Sequence, residues 1–579
     1  MSFVTPVRED AVFALTFAPG AAKATRYHVP RAETPVDLFL DGNEGATPDD
    51  DLFEALRISG VETVRRYPDA TALEAKLAAR FGVDPTQVIV TAGGDETIDR
   101  ACRALLCDGR ELILPEPTFE MIARYAALAQ GTLVSVEWRG GPFPVEAVLA
   151  RVGPSTALIA IVTPNNPTGA VATLDDVRRV AMAAPHALVL LDHAYVEFSD
   201  ADFTQAALEW PNVLVVRTVS KAWGLAGLRI GCGVGHPELI RQLRACGGPY
   251  PVSGPSLVLA AAALESGERA VAAFVSTIRE ERTRLETLMS DLGADPEPSH
   301  ANFVFGRFKD ALWIRDGLAG LGIAVRAFPG RPSLDGCVRI TCPGDEAAFR
   351  RLTHALHATC APEAILFDVD GVLVDVSLSY RAAIVETCRH FGVELDADEI
   401  AAAKAQGNAN NDWVLTHRLI DRHGVKIDFE LVKQTFEAAY QGDGDRPGLW
   451  IHETLRLPRA TLQRLADRYP LALVTGRPRA DLERLLDLFD LRPLFPVTVC
   501  MEDASLKPDP APVRLALARL GVTRAWMLGD TPDDQRAARS AGVVPIGVLA
   551  PSEVHREPLI RAGASRVLVS PESLEALLP

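Results

Sequence analysis

The chain has 579 residues, too many for one hydrophobic core to organise, so two or more domains are expected. Its hydrophobic fraction of 48% and charged fraction of 23% are those of an ordinary globular protein, and a net charge of −17 argues against nucleic acid or an anionic membrane as main partner. The 9 Cys form no CxxC pair, which predicts free thiols in a reducing compartment. Since "MSFVTPVRED" lacks a secretion signal and no apolar run reaches about 18 residues, we expect a cytoplasmic protein without a membrane span.

Short apolar runs alternate with helical patterns along the chain, which predicts an α/β architecture with largely parallel sheets. "TALEAKLAARF" carries Leu73, Leu77 and Phe81 at steps of four, the stripe of an amphipathic helix. Buried strands are then predicted for "TALIAIVTP", "ALVLLDHA" and "NVLVVRTVS". Further along, "EAILFDVD", "PLALVTG" and "RAWMLGD" predict strands with a polar residue at the carboxyl end, the edge where open α/β sheets bind ligands.

The domain boundary is predicted at "HATCAPEA", residues 357–364, because a helical pattern stops there and a new strand starts. We therefore expect a first domain over residues 1–357, with its core at about 30–355, a linker over 358–364 and a second domain over 365–579. Residues of about 377–460 lack a strong strand pattern. This helical stretch fits a cap inserted behind the first strand of the second domain.

The first domain contains a lysine in a glycine-rich segment after a buried strand, Lys221 in "TVSKAWGLAGLRIG". Other strand ends supply Asn166 in "VTPNNPTG" and Asp192 with Tyr195 in "LLDHAY". The segment "TAGGDETI" places two glycines and an aspartate at a predicted helix N-terminus, where free N–H groups and the helix dipole favour a phosphate. A lysine, a carboxylate for a pyridinium nitrogen and donors for a phenolic oxygen and a phosphate are what pyridoxal phosphate needs.

Together these segments resemble fold-type I aminotransferases, and most closely the histidinol-phosphate aminotransferase family, over about residues 30–355. The resemblance implies a large cofactor domain, a small domain and a homodimer. It makes Lys221 the Schiff-base lysine and proton shuttle, and it pairs Asp192 with the pyridine nitrogen. The other cofactor contacts it implies are Tyr195 and Asn166 on the phenolic oxygen, Gly94, Asp95, Thr218, Ser220 and Arg229 on the phosphate, Phe119 stacked on the ring, and Tyr67 from across the dimer.

The substrate side of this resemblance departs in part from the family pattern. Asn43 and Glu44 in "DGNEG" match the family's "NENPYG" segment, whereas the following turn does not. Arg339 in "VRITCPG" matches the arginine that binds the acidic end of the substrate. Phe119 in "EPTFEM" stands where the family usually has tyrosine, so stacking is kept and a hydroxyl is lost. The implied substrates are a phosphorylated amino compound and glutamate/2-oxoglutarate.

In the second domain, "LFDVDGVLVD" ends a predicted strand with Asp368 and Asp370, which repel each other unless a cation or a reacting phosphate separates them. Thr475 follows the strand in "LALVTGR", Lys507 lies in "MEDASLKPDPAP", and Asp530 ends the strand in "WMLGD". These four motifs, in this order, resemble the haloacid dehalogenase superfamily, which has a Rossmann-like domain, over about residues 363–579.

This resemblance implies a phosphatase. Asp368 would attack phosphorus to form an aspartyl-phosphate, and Asp370, absent from the dehalogenase branch, would be the acid and base. Mg²⁺ would be held by Asp368, the backbone carbonyl of Asp370 and Asp530, because it is a hard cation that prefers oxygen ligands. Thr475 and Lys507 would bind the phosphoryl oxygens.

Two features near these motifs stay open. Asp534 would orient either Lys507 or the metal shell, and Asp533 beside it has no assigned role. The polar segment "GNANNDW", residues 407–413, is either a substrate loop of the cap or a solvated turn between helices, capped by asparagine.

An aminotransferase of this type joined to a phosphatase predicts two consecutive steps of histidine synthesis. The first would convert imidazole-acetol phosphate to L-histidinol phosphate with glutamate as donor, and the second would remove the phosphate. Pairing is an associational argument, so two alternatives remain. In the first, the chain is an aminotransferase or decarboxylase with a phosphatase, and both act on another phosphorylated amino compound. In the second, it is an aminotransferase with a non-catalytic regulatory domain. The acid/base Asp370 argues against the second.

Overall fold

The computed structural model describes residues 15–407, 410–442, 446–549 and 556–579. The chain divides into two compact units. Unit 1 contains Asn43–Arg282, Glu297–Phe305 and the segment before Pro30; unit 2 contains Pro30–Gly42, Thr283–Pro296 and Gly306–Pro579. Among the described helices, none has both the length and the apolar character needed to cross a membrane.

The strands are, in chain order, β1 (Leu38–Phe39), β2 (Val88–Ala92), β3 (Glu111–Glu116), β4 (Thr132–Glu137), β5 (Thr156–Val162), β6 (Leu188–Asp192), β7 (Val213–Thr218), β8 (Ile230–Gly235), β9 (Asp295–Glu297), β10 (Phe303–Arg307), β11 (Ile323–Ala324), β12 (Arg326–Ala327), β13 (Cys337–Thr341), β14 (Ala364–Phe367), β15 (Val374–Asp375), β16 (Thr454–Leu455), β17 (Leu471–Val474), β18 (Val497–Val499), β19 (Ala525–Gly529), β20 (Val544–Val548) and β21 (Arg566–Leu568).

The α-helices are α1 (Pro19–Ala22), α2 (Leu52–Ser59), α3 (Glu62–Arg65), α4 (Thr71–Phe81), α5 (Gly93–Leu105), α6 (Glu120–Leu128), α7 (Val145–Leu149), α8 (Leu174–Ala183), α9 (Thr204–Ala207), α10 (Pro237–Ala245), α11 (Gly254–Ser266), α12 (Glu268–Asp291), α13 (Ala311–Gly320), α14 (Glu346–Cys360), α15 (Tyr380–His390), α16 (Ala397–Ala405), α17 (Asp412–Arg422), α18 (Phe429–Gln441), α19 (Arg459–Ala466), α20 (Arg479–Leu488), α21 (Ala511–Leu520), α22 (Pro532–Ser540) and α23 (Arg556–Ala562).

Unit 1 is built on a seven-stranded sheet of order β2-β8-β7-β6-β5-β3-β4. β8 runs antiparallel to both of its neighbours, and β7, β6, β5, β3 and β4 pair in parallel. Every residue of β5 and β6 is buried, as their apolar runs predict. The predicted helix at residues 71–81 is confirmed as α4, which buries Leu73, Leu77 and Phe81. Because β5, β6 and β7 are parallel, the polar residues that follow them reach the same edge of the sheet.

Unit 2 contains a six-stranded parallel sheet of order β18-β17-β14-β19-β20-β21. β14 lies between β17 and β19, so Asp368, Thr475 and Asp530 follow three adjacent strands at one edge. Helices α15 to α18 lie between β15 and β16, which pair antiparallel. They occupy the stretch that was predicted to form a helical cap.

Helices α13 and α14 pack against strands β19 to β21 of this sheet. The indole Nε1 of Trp526 in β19 donates a hydrogen bond to the carbonyl oxygen of Ala358 at 2.7 Å, and the ring centroids of Trp526 and Trp313 are 4.7 Å apart. α14 ends at Cys360 and β14 starts at Ala364, so the predicted linker, residues 358–364, is helix, a short turn and the start of a strand. The helix therefore leads almost directly into the central strand of the sheet.

Replacing Trp526 with alanine should destabilise unit 2 by about 3–5 kcal/mol, the usual cost of removing a buried large aromatic side chain. Trp526→Phe should cost less, since it keeps much of the ring volume and loses the bond to Ala358. Urea unfolding followed by circular dichroism measures both. An alanine variant with the wild-type unfolding midpoint would show that this packing contributes little.

Candidate active sites

At the carboxyl edge of the unit 1 sheet, Asp192 ends β6 and is almost fully buried. Its Oδ1 accepts a hydrogen bond from the backbone N–H of Ala194 at 3.0 Å. Burial raises the pKa of Asp192 to about 7, although the Ala194 amide acts in the opposite direction. A buried carboxylate of this kind is stabilised by a cation beside it, and a protonated pyridine nitrogen fits that need.

Tyr195 and Lys221 lie close together at this edge, with the Lys221 Nζ 5.6 Å from the centre of the tyrosine ring. The Nδ2 of Asn43 donates a hydrogen bond to the Tyr195 hydroxyl at 2.9 Å, so the residue predicted on the substrate side is buried against a predicted cofactor residue. A Cβ at Gly45 would lie 1.9 Å from the carbonyl oxygen of Lys221. Glycine therefore allows the "DGNEG" segment to pass directly over the lysine backbone.

The predicted phosphate-binding residues gather around the start of α5, where Gly94 and Asp95 occupy the first turn. The Nη2 of Arg229 lies 3.1 Å from the Asp95 carboxylate, and both side chains are partly exposed. The Thr218 hydroxyl donates to the Ser220 Oγ at 2.8 Å and accepts from the Ser220 backbone N–H at 3.1 Å. A helix N-terminus, two hydroxyls and a guanidinium together suit a phosphate group.

Asn165 was not predicted as a site residue, but it connects the segment that carries Phe119 to the segment that carries Asn166. Its Nδ2 donates to the carbonyl oxygen of Pro117 at 2.9 Å, and its Oδ1 accepts from the Thr118 hydroxyl at 2.6 Å. Phe119 follows Thr118 in the chain, and Asn166 follows Asn165. The two adjacent asparagines in "PNNP" could have indicated Asn165, but only Asn166 was predicted as a site residue.

Tyr67, Glu44 and Arg339 complete the predicted residues of the first domain. Tyr67 is 82% exposed and stacks on Tyr250, with the ring centroids 4.7 Å apart. Glu44 is exposed. Arg339 belongs to unit 2, where it lies in β13 and its Nη2 donates to the carbonyl oxygen of Asp41 at 2.6 Å. The roles of these residues stay predictions.

In unit 2, the buried ammonium of Lys507 joins two carboxylates. Its Nζ lies 2.7 Å from Asp368 Oδ1 and 2.5 Å from Asp534 Oδ1, and it donates to the carbonyl oxygen of Val474 at 3.1 Å. Burial acts to lower the pKa of Lys507, but the two carboxylates raise it above its ordinary value. The Asp534 side chain contacts Lys507 and also lies beside Asp368 and Asp530, so both roles considered for it remain predictions.

Asp368, Asp530 and Asp534 each offer a carboxylate oxygen within 4.8 Å of the others. Burial raises the pKa of Asp530 to about 6 and raises that of Asp368 well above its usual value. Three buried carboxylates fit a hard divalent cation, which would favour their ionised forms. Gly371 has a φ of +74°, and a Cβ there would lie 2.1 Å from Asp530 Oδ2. Only glycine permits this approach.

The carboxylate of Asp370 points to a different partner, Arg477. The Nε and Nη2 of Arg477 lie 2.8 and 2.5 Å from Asp370 Oδ1, and Nη2 also lies 3.1 Å from Glu453 Oε1. The guanidinium lies over the ring of Tyr380, 4.7 Å from its centre. The predicted acid/base is thus oriented by a buried arginine that the sequence reasoning missed, although it follows Thr475 in "TGR". No local pattern marked Glu453.

The described part of "GNANNDW" lies against the site; positions 408 and 409 are outside the described residues. Asn410 donates from Nδ2 to the carbonyl oxygen of Lys507 at 3.2 Å and to Asp533 Oδ2 at 3.1 Å. Asn411 caps α17 by accepting a hydrogen bond from the backbone N–H of Val414 at 3.1 Å. Asp533, which had no assigned role, therefore connects the cap to the sheet domain.

Comparison with known proteins gives a family match for each part of the chain. Residues 40–356 match the family model of aminotransferase class I and II, and the chain belongs to this family. Residues 365–548 match the model of haloacid dehalogenase-like hydrolase. The chain is thus an enzyme with an aminotransferase domain followed by a domain of the haloacid dehalogenase-like hydrolases, which confirms the predicted fold class and recognition.

Individual relatives cover different shares of the chain. This chain is 34% identical to histidinol-phosphate aminotransferase of Paracoccus denitrificans over 333 residues, which cover 56% of this chain and 90% of that protein. It is 48% identical to imidazoleglycerol-phosphate dehydratase of Phytophthora nicotianae over 197 residues, 33% of this chain and 44% of that protein, so it spans less than half of that relative. The crystal structure of histidinol-phosphate aminotransferase from Sinorhizobium meliloti with pyridoxal-5'-phosphate aligns with a TM-score of 0.54 and 26% identity, over 61% of this chain and 98% of that chain.

The raised pKa of Asp192 predicts a pH effect on the cofactor-free protein. Asp192 titrates at about 7 when folded and near 4 when unfolded, so between these values the unfolded chain binds fewer protons. The free energy of unfolding of the wild type should therefore fall as pH rises from 5 to 7, relative to that of Asp192→Asn. Denaturant unfolding at each pH measures both. Asp108→Asn, at an exposed aspartate, should keep the wild-type profile. Parallel profiles for wild type and Asp192→Asn would contradict the assignment.

Proposed function

We propose that the chain is a bifunctional enzyme of two consecutive steps. It would transfer an amino group from glutamate to imidazole-acetol phosphate and then hydrolyse the phosphate monoester of the product, L-histidinol phosphate. The observation that carries the proposal is the buried pair of Asp368 and Lys507 beside the half-buried Asp370, a phosphoryl-transfer arrangement on a chain that belongs to the aminotransferases. The first substrate is suggested by the 34% identity to a histidinol-phosphate aminotransferase.

In the transamination, the residues of unit 1 bind the cofactor and move a proton. Pyridoxal phosphate, when bound, supplies an electron sink for the bonds at the substrate α-carbon. Asp192 would hold the ring nitrogen, and the Asn43–Tyr195 hydrogen bond would fix a donor for the phenolic oxygen. The Lys221 amine would carry the proton that moves during amino-group transfer. The pyridoxal-5'-phosphate in the aligned Sinorhizobium meliloti structure supports this assignment.

In the hydrolysis, an Asp368 oxygen attacks phosphorus while the bond from phosphorus to the alcohol oxygen breaks, and Asp370 gives its proton to that oxygen. Asp370 then takes a proton from water, which attacks phosphorus, releases inorganic phosphate and restores Asp368. Arg477 holds Asp370 in place for both proton transfers. Mg²⁺ would be held by Asp368, Asp530 and the carbonyl of Asp370, and it would supply positive charge at the phosphoryl group.

A homodimer through unit 1 is supported by an exposed apolar patch in α2, in α3 and in the residues that flank α3, and no residue of these two helices is buried. Its members are Phe53, Ile58, Val61, Val64 and Tyr67, between 61% and 82% exposed. Apolar patches of this kind mark interaction surfaces. The patch includes the tyrosine that the family resemblance assigns to the partner's cofactor site.

The double variant Val61→Asp/Val64→Asp should therefore be a monomer by sedimentation velocity, because two charges would be buried in the interface. It should lose most of its transamination and keep its phosphate release. Met182→Asp, at an exposed position of α8 outside the patch, serves as control. A dimeric double variant would place the interface elsewhere.

If the two sites act independently, a variant of one site should lose the activity of that site alone. Asp368→Asn should lower phosphate release by about a thousandfold or more while transamination stays at the wild-type rate, since the nucleophile is lost. Lys221→Ala should do the reverse. Both rates can be measured on the same preparations with Mg²⁺ and pyridoxal phosphate. Loss of both activities in a folded Asp368→Asn protein would show that the sites are coupled.

The substrate assignment is tested by phosphate release from L-histidinol phosphate against sugar, nucleotide and other amino-alcohol phosphates. We expect kcat/KM to favour histidinol phosphate by about a hundredfold, or about 2.7 kcal/mol. A preference for another phosphate would keep both chemistries and reject the histidine assignment. Absence of release from every compound would support the alternative of a regulatory second domain.

A further inference from the structure

The guanidinium of Arg477 lies between two carboxylates, those of Asp370 and Glu453. Its Nε and Nη2 contact Asp370 Oδ1. On the other side, Nη1 donates to Glu453 Oε2 and Nη2 donates to Glu453 Oε1, both at 3.1 Å. The side chain of Asp370 is 21% exposed, whereas those of Arg477 and Glu453 are 1% and 3% exposed. Glu453 is thus the inner partner of the arginine, and Asp370 is the partner that solvent and substrate can reach.

Proton donation by Asp370 changes the charge that Arg477 faces. Asp370 must carry a proton in order to protonate the leaving oxygen, and its side chain is then neutral. Because a buried guanidinium without an opposing charge is costly, Arg477 needs a second carboxylate in that state. Burial acts to lower the pKa of Arg477, and Asp370 and Glu453 both raise it above its ordinary value. Glu453 supplies an opposing charge in either protonation state of Asp370.

Glu453 itself is held by the two chain connections of the cap. It directly precedes β16, through which the cap returns to the sheet domain, and Ser379 lies between β15 and the first cap helix. Glu453 Oε1 accepts hydrogen bonds from the Ser379 hydroxyl at 3.1 Å and from the Tyr440 hydroxyl of α18 at 3.0 Å. The direction of this carboxylate is therefore fixed by groups from both ends of the cap.

We propose that Glu453 is a positioning residue for the acid/base: its charge stays paired with Arg477 and keeps the arginine directed at Asp370 while Asp370 gains and loses its proton. The inference rests on the proposed phosphatase activity and adds a residue to that site. Glu453 acts through Arg477 rather than on the reacting atoms. When Asp370 gives its proton to the alcohol oxygen, the same guanidinium stabilises the carboxylate that forms.

A purely structural ion pair between the cap connection and the sheet domain would bury the same groups. The two roles differ in how the rate depends on the leaving group. An alkoxide is strongly basic, so an alkyl phosphate needs the proton of Asp370 as the bond from phosphorus to oxygen breaks. p-Nitrophenolate is a stable anion and leaves p-nitrophenyl phosphate without that proton. Loss of positioning should therefore slow alkyl substrates selectively, whereas a structural defect should slow both kinds.

The test uses the full chain with Mg²⁺ and compares two alkyl phosphates, L-histidinol phosphate and phosphoethanolamine, with p-nitrophenyl phosphate. Glu453→Gln, which removes the charge and keeps the shape, should lower kcat/KM for the alkyl phosphates by about thirtyfold to a hundredfold, much of the usual contribution of general acid catalysis. Its kcat/KM for p-nitrophenyl phosphate should change less than about threefold, because this constant reports only the steps up to departure of the leaving group. Glu453→Asp, which keeps the charge, should restore part of the loss.

Glu437 provides a matched control within the cap. It is a glutamate of α18 whose carboxylate accepts hydrogen bonds from two neutral donors, Trp413 Nε1 at 2.8 Å and Gln441 Nε2 at 3.0 Å. Glu437→Gln removes a hydrogen-bonded charge from the same helical region. It should show no selective loss for the alkyl phosphates.

Two results with Glu453→Gln would overturn the inference: an equal loss of kcat/KM for both kinds of substrate, or wild-type kcat/KM for the alkyl phosphates. If this variant fails to fold, Tyr440→Phe decides instead, because it removes one hydrogen bond to Glu453 and leaves the charge. It should lower kcat/KM for the alkyl phosphates alone, by about threefold to tenfold. An equal loss for both kinds of substrate, or no loss, would again overturn the inference.

Failure of the proposed phosphatase itself is recognised separately. The wild type would then release no more phosphate from p-nitrophenyl phosphate than Asp368→Asn does. A wild type that hydrolyses p-nitrophenyl phosphate but neither alkyl phosphate would keep the phosphatase and show that Asp370 donates no proton, which overturns the role of Glu453.

Discussion

The two catalytic domains share one constraint, which is that their central strands are buried on both faces. Every residue of β5, β6, β14 and β17 is buried, and their backbone groups pair with neighbouring strands. A charged side chain within such a strand would lack both water and a partner, so the first acidic groups stand at or after the carboxyl end. Asp192 and Asp368 occupy this place in unit 1 and unit 2. The positions of the two sites are therefore set by the burial of the central strands on both faces.

Charge compensation then decides how each acidic group behaves. Asp368 has Lys507 at 2.7 Å and Asp370 has Arg477 at 2.5 Å, so both carboxylates are held in a fixed direction. Lys221 acts to lower the pKa of Asp192, but burial outweighs it and raises that pKa to about 7. Its charge is left for a bound group to balance. Removing one member of a buried pair, by contrast, leaves a charge without compensation and is expected to be costly.

Unit 2 combines segments of the aminotransferase family match with the hydrolase domain. Trp526 and Trp313 pack together, and α22 carries Asp534 at its start and Arg539 near its end. Arg539 donates to the carbonyl oxygen of Pro35 at 2.7 Å and to Asp37 Oδ1 at 3.2 Å. One helix thus contacts the phosphoryl-transfer residues at one end and the segment before β1 at the other.

The sequence by itself determined the elements and the motif residues whose signals are local. The stripe of α4, the strand ends at Asp192 and Asp368, and the position of Lys507 all follow from periodicity, buried runs and family motifs. The partners of these residues depend on which strands are neighbours. Arg477 reaches Asp370 across 107 positions because β17 and β14 are adjacent. No local pattern carries that information, so only the tertiary structure showed that Arg477 and Glu453 belong to the site.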